Sequence, residues 1–209
     1  MLVNLKKWSG CALLLMAASA SAYSAPKTVL VLGDSLSAEY GLNRGAGWVA
    51  LMEQKLKAEK IEASIVNASI SGETTSGGRA RLPALLTQHK PDVVVIELGA
   101  NDGLRGLPVP AATANMRTMI ELAQKNKARV LLVGMRIPPN YGRTYTDNFF
   151  GMYTSLSSQY KTALVPFMLE GVADKPALFQ SDRLHPAAQA HPTILANIWP
   201  HILPLVTSR

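Results

Sequence analysis

Thr28-Val29-Leu30-Val31-Leu32-Gly33-Asp34-Ser35-Leu36-Ser37 sets an unbroken apolar run directly against a small polar turn. The run is too short for a helix and is rich in Val and Leu. Being apolar on both faces, it reads as a strand buried inside a parallel sheet. Four further runs repeat the pattern: residues 63–68 (ASIVNA), 92–99 (DVVVIELG), 128–135 (ARVLLVGM) and 162–167 (TALVPF), each bounded by Gly, Asn or Pro. Between them lie stretches of helical period. Residues 47–60 gather Trp48, Leu51, Met52 and Leu56 on one face, residues 78–90 place Pro83 in a first turn, and residues 111–126 group Met116, Met119, Ile120 and Ala123. Alternating β and α units with right-handed crossovers specify one α/β domain of three layers, α/β/α, over residues 26–209.

The first 22 residues do not fit that scheme. Lys6 and Lys7 precede an apolar run from Cys11 to Ala18, and Ala20, Ser21 and Ala22 follow. A basic start, a short apolar run and a small-residue site make a secretory signal peptide, removed after Ala22 and implying a periplasmic or secreted protein. The run is about half of the roughly 20 apolar residues that a transmembrane anchor needs. In the whole chain of 209 residues, 21 are basic and 14 acidic. Losing Lys6 and Lys7 leaves 19 basic residues against those 14, a charge near +5, and loss of Cys11 removes the only thiol. The remaining basic residues are scattered, with no aromatic-interleaved stripe and no metal-finger spacing, so nucleic acid is not an expected partner.

In an open parallel sheet, ligands bind beyond the carboxyl ends of the strands. The segments there are Gly33 to Ser37, Ile70 to Thr74 and Gly99 to Gly103, with Asp182-Arg183-Leu184-His185-Pro186 later in the chain. Acyl transfer by serine needs a nucleophile, a base, a group orienting the base, and donors for the oxyanion. Ser35 is the candidate nucleophile, although a helix-capping serine would occupy the same place. Of four histidines, His185 has a carboxylate three residues before it in a loop closed by Pro186, so Asp182 can reach one ring nitrogen while the other faces the serine. His89, His191 and His201 read as surface or core histidines. The N–H groups of Ser35 and Gly72 and the amide of Asn101 are candidate oxyanion donors, against simple turn roles for Gly72 and Asn101. No zinc-ligand spacing is present.

These four segments closely resemble the four blocks of the SGNH or GDSL hydrolases, and the resemblance extends over residues 67–72, 80–86 and 101–106 to the exported bacterial thioesterase, protease, lysophospholipase and arylesterase branch. It implies a flavodoxin-like five-stranded sheet in the order 2-1-3-4-5. It also implies Ser35 as nucleophile, His185 as base, Asp182 as its orienter, Ser35, Gly72 and Asn101 as the oxyanion hole, and no metal or organic cofactor. The expected substrates are small-molecule esters and thioesters, handled by a monomer with no membrane anchor. A carbohydrate acetylesterase is the nearest alternative. A non-catalytic binding module would be expected to lack Ser, Asn or His. A nucleotide-binding flavodoxin-like protein would need a phosphate-cradling glycine motif, which is missing. Three positions depart from the family pattern: Ala100 replaces a glycine, Glu73 an aspartate, and Arg183 a glycine, so that its loop must avoid positive φ or accept strain. Residues 136–145 read as a long loop whose Pro139 and Tyr141 form part of the substrate wall.

Overall fold

Five parallel strands stand in the order β2-β1-β3-β4-β5, as the family resemblance implies: β1 (Lys27–Gly33), β2 (Ala63–Asn67), β3 (Val93–Glu97), β4 (Arg129–Val133) and β5 (Ala163–Val165). The computed structural model describes residues 26–208, so the expected signal peptide and Cys11 lie outside the described residues. Strands β1, β3 and β4 are buried almost throughout. The edge strands β2 and β5 are only half-buried, which corrects the expectation of burial on both faces. Each edge strand has one neighbour rather than two, so helices cover it less completely.

Helices α1 (Trp48–Ala58) and α6 (His191–Thr207) pack together on one face, while α2 (Thr75–His89), α4 (Val109–Lys125) and α5 (Arg143–Tyr160) cover the other. A single short turn, α3 (Ala100–Leu104), follows β3. The buried sides follow the period, Trp48, Met52 and Leu56 on α1 and Met116, Met119, Ile120 and Ala123 on α4, except that Leu51 is only half-buried and Val49 is buried in addition. His191 is a core residue whose Nδ1 accepts the Trp48 N–H at 3.0 Å, closing the start of α1, and burial lowers its pKa.

Two expectations fail locally. Helix α2 starts at Thr75 because the Thr74 side chain accepts the Gly77 N–H, so Pro83 lies inside the helix rather than in its first turn. The long loop expected over residues 136–145 is shorter: Pro139–Tyr141 form a 3₁₀ turn and α5 begins at Arg143. Helix α5 buries Phe149, Met152, Tyr153 and Leu156, but its many Ser, Thr and Tyr residues are weak helix formers and mask the period.

Candidate active site

Strand register builds the floor of the site. Pairing of β1 with β3 sets Gly33 opposite Glu97. A Cβ on Gly33 would come within 2.8 Å of Glu97 Oε2 and Ser37 Oγ, so only glycine admits both groups at the strand end. Beyond Gly33 the chain turns sharply. The Asp34 carbonyl accepts the N–H groups of Ser37 and Ala38, and Asp34 Oδ1 accepts that of Leu36 at 3.0 Å. Among the described residues the Ser35 N–H has no acceptor, and its side chain faces the cleft.

The Asp182 carboxylate organises the histidine loop. Its Oδ1 accepts the N–H groups of Leu184 and His185, and its Oδ2 lies 2.7 Å from His185 Nδ1. The His185 N–H, the His185 ring and the Leu184 N–H together hold the Asp182 carboxyl down to about 2. His185 Nε2 lies 2.9 Å from Ser35 Oγ. Because Nδ1 gives its hydrogen to Asp182, Nε2 is left to accept the serine hydroxyl hydrogen. Gln180 ties this loop to the nucleophile turn: its N–H donates to the His185 carbonyl and its Nε2 to the carbonyls of Tyr40 and Pro186. The Tyr40 ring lies 4.4 Å from that of His185.

The oxyanion candidates Ser35, Gly72 and Asn101 all line one cleft. Gly72 takes φ +79°, its N–H has no acceptor among the described residues, and Arg105 Nη2 donates to its carbonyl at 3.1 Å. Asn101 is committed differently from a free donor. Its Nδ2 gives one hydrogen to Asp34 Oδ2 at 3.1 Å and the other to the Glu73 carbonyl at 2.9 Å.

Beneath Asn101 lies a buried carboxyl pair that the sequence reading did not single out. Glu97 Oε2 accepts the Ser37 hydroxyl at 2.6 Å and the Asp34 N–H at 3.3 Å, and Trp48 Nε1 donates to Ser37 Oγ. The Asp34 and Glu97 carboxyls are close neighbours and influence each other's titration. Burial pushes Asp34 up to about 6, against the pull of the Leu36 N–H and of His185. Burial, and then the neighbouring Asp34 charge, raise Glu97 well above the ordinary carboxylate range. Both shifts favour keeping a proton on the pair, most strongly on Glu97, while the Asp34 carboxylate accepts from Asn101 and so orients it.

That proton has a measurable consequence. The unfolded chain gives up the Glu97 proton near pH 4.5 while the folded chain keeps it, so stability is fully present below that pH and is lost as pH rises toward the folded pKa. The loss is up to about 1.4 kcal/mol per pH unit. Glu97→Gln keeps the shape and a donor toward Asp34 without titrating. Urea unfolding at pH 4, 6 and 8 is expected to show the variant gaining on the wild type as pH rises. A difference constant across the series would contradict a protonated Glu97.

Ser35 and His185 open into a cleft of about 710 Å³ walled by Leu104, Met135, Ile137, Pro138, Phe167 and Leu169. Pro139 lines it. Tyr141 does not: its hydroxyl donates to the Leu104 carbonyl at 2.7 Å, so it holds the wall from behind. Among the described residues no group of three His, Cys, Asp or Glu side chains could hold a metal ion.

A serine, histidine and aspartate thus stand in hydrogen-bonding series, with N–H groups beside the serine that have no acceptor among the described residues. The GDSL-like lipase/acylhydrolase family matches residues 31–192. The chain belongs to that family. Esterase TesA of Pseudomonas aeruginosa is 49% identical over 199 residues, covering 95% of this chain and 97% of the relative. Thioesterase 1/protease 1/lysophospholipase L1 of Escherichia coli K12 is 42% identical over 183 residues, covering 88% and 86%. A crystal structure of TesA superposes with a TM-score of 0.84 at 50% identity, covering 86% of this chain and 99% of that one.

As a GDSL-like hydrolase the chain carries its three departures in distinct ways. Ala100 starts α3 and lines the cleft. The Glu73 carboxylate pairs with Arg81 at 2.8 Å and takes no part in the cleft, while its carbonyl holds Asn101. Arg183 accepts a left-handed φ of 56°. Glu97, Ser37 and Gln180 were missed. A carboxylate inside the apolar run DVVVIELG was the available signal for Glu97, whereas nothing local in the sequence marked the other two.

Proposed function

We propose that this hydrolase cleaves carboxylic esters and thioesters of medium-length acyl chains through an acyl-enzyme on Ser35. His185 Nε2 takes the Ser35 proton as Oγ bonds to the carbonyl carbon, and the carbonyl oxygen becomes an oxyanion beside the N–H groups of Ser35 and Gly72. Asn101 joins them by turning the hydrogen it gives to Asp34. The C–O or C–S bond then breaks, His185 returns the proton to the leaving oxygen or sulfur, and water repeats the sequence to free the acid. Asp182 keeps the ring in the required tautomer and offsets the imidazolium charge. No step needs a metal or an organic cofactor.

The observation that carries this reading is the series Asp182 Oδ2, His185 and Ser35 Oγ, with contacts of 2.7 and 2.9 Å, at the mouth of an apolar cleft. Leu104, Ile137 and Pro139 suit an acyl chain, and the names of the relatives support aryl esters, acyl thioesters and lysophospholipids as substrates. The signal-like residues 1–22 support action in the periplasm or outside the cell.

Each methylene buried in such a wall is worth about 0.8 kcal/mol, close to fourfold in kcat/KM. Nitrophenyl esters from acetate upward are expected to gain by about that factor per methylene until the cleft is filled, with acyl-CoA thioesters of the same chains also cleaved. Turnover of acetate alone, with acetate release from acetylated sugars, would support the acetylesterase alternative instead.

A further inference from the structure

Among the described residues four large apolar side chains stand open to solvent: Tyr40 at 51% exposure, Ile70 at 51%, Leu107 at 39% and Leu184 at 46%. All four belong to the loops that carry the site. Tyr40 follows β1 with its ring tilted against that of His185, and Leu184 precedes His185. Ile70 follows β2, two residues before Gly72, and Leu107 follows α3. Arg105 joins those last two loops by donating to the Gly72 carbonyl. The four therefore flank the mouth of the cleft in two pairs.

Ile70 and Leu107 do not line the cleft, so a bound substrate would leave them exposed. Their backbones are nonetheless pinned. The Ile70 N–H donates to the Gly33 carbonyl at 3.0 Å, the Leu107 N–H donates to the Asp102 carbonyl at 3.0 Å, and the Leu107 carbonyl accepts the Tyr145 hydroxyl at 2.7 Å. Single exposed apolar residues are ordinary, but confinement of all of them to one edge marks a contact surface.

The charge on that edge indicates what it contacts. Arg136 and Arg183 line the cleft and Arg105 lies beside Gly72. None of the three meets a carboxylate within 4.0 Å among the described residues, where the ion pairs are Lys27 with Asp92, Lys55 with Glu59, Arg81 with Glu73, and His185 with Asp182. The neighbouring carboxylates are engaged: Asp182 with His185, Glu73 with Arg81, and Glu39 with the N–H groups of Gly45 and Gly47, while Asp34 is buried. Apolar side chains among unpaired guanidiniums complement a lipid surface bearing phosphate, with the side chains entering the acyl boundary and the guanidiniums meeting head groups.

We propose that the loops around the cleft mouth form an interfacial docking face that seats the site reversibly on an anionic lipid surface. No helix among the described residues is long and apolar enough to cross a membrane, so the contact is peripheral. The face goes beyond the hydrolase reading and is tested without turnover. Ser35→Ala protein is sedimented with vesicles of phosphatidylglycerol or of phosphatidylcholine.

Binding to phosphatidylglycerol is expected to be at least about tenfold tighter at low salt and to weaken as salt rises. Adding Ile70→Ser and Leu107→Ser is expected to weaken it about tenfold. The same pair in the wild-type background should leave hydrolysis of a short, water-soluble nitrophenyl ester unchanged. Equal binding to both vesicles, no binding to phosphatidylglycerol, or binding indifferent to the paired substitutions would overturn the proposal. So would a dimer in light scattering that the paired substitutions dissociate, since a second copy would then cover the face.

Discussion

Ser35→Ala is expected to lower ester and thioester turnover by about 10⁴- to 10⁶-fold, the range found when the nucleophile of a serine hydrolase is removed. The only hydrogen-bond partner of Ser35 Oγ among the described residues is His185 Nε2, so the hydroxyl contributes little to folding. Urea unfolding of the variant should match that of the wild type within about 0.5 kcal/mol. Adding His185→Ala should then cost little more, because residues that act as one unit are not additive. Turnover within tenfold of the wild type in either variant would remove Ser35 from the mechanism.

Asn101→Ala is expected to lower kcat by about 10²- to 10³-fold, the usual effect of removing one oxyanion donor, with KM changing much less. The geometry sharpens that expectation. In the resting site both Nδ2 hydrogens are occupied, by Asp34 Oδ2 and the Glu73 carbonyl, so the oxyanion must draw the first of these away. Losing the amide also leaves the buried Asp34 carboxylate without one of its donors, which raises its pKa further. Because Asp34 reaches the oxyanion through Asn101, that shift should not add to the loss, which should fall on kcat throughout the pH profile. Steady-state kinetics between pH 5 and 8 reads this, and equal losses of kcat and gains of KM would assign Asn101 to ground-state binding instead.

Residues at strand ends were legible because their chemistry is local. Ser35, Gly72 and Asn101 each follow an apolar run, and the Asp182 spacing to His185 is that of a carboxylate folding back onto a ring. The sheet was legible for the same reason, since β1, β3 and β4 each carry a continuous apolar stretch, residues 29–32, 93–96 and 130–133. Glu97 was hidden because its meaning depends on register: only the pairing of β1 with β3 sets it against Gly33, Asp34 and Ser37. Tyr141 was read as wall because aromatic residues suit apolar clefts, but the direction of its hydroxyl depends on where α3 lies. Arg183 posed a choice that sequence left open, and the fold resolved it as a left-handed residue rather than an altered loop. Helix α5 escaped notice because tertiary packing of Phe149, Met152 and Tyr153 outweighs poor helix propensity.

The central claim is that the hydroxyl beside His185 is the group that becomes acylated. An alkyl fluorophosphonate traps such a hydroxyl covalently, and intact mass with peptide mapping locates the adduct. One adduct per chain is expected, on the peptide containing Ser35, with loss of turnover in proportion to labelling and with slowed labelling in Asp182→Ala. Labelling at another residue, or full turnover in a sample whose Ser35 is completely modified, would contradict it.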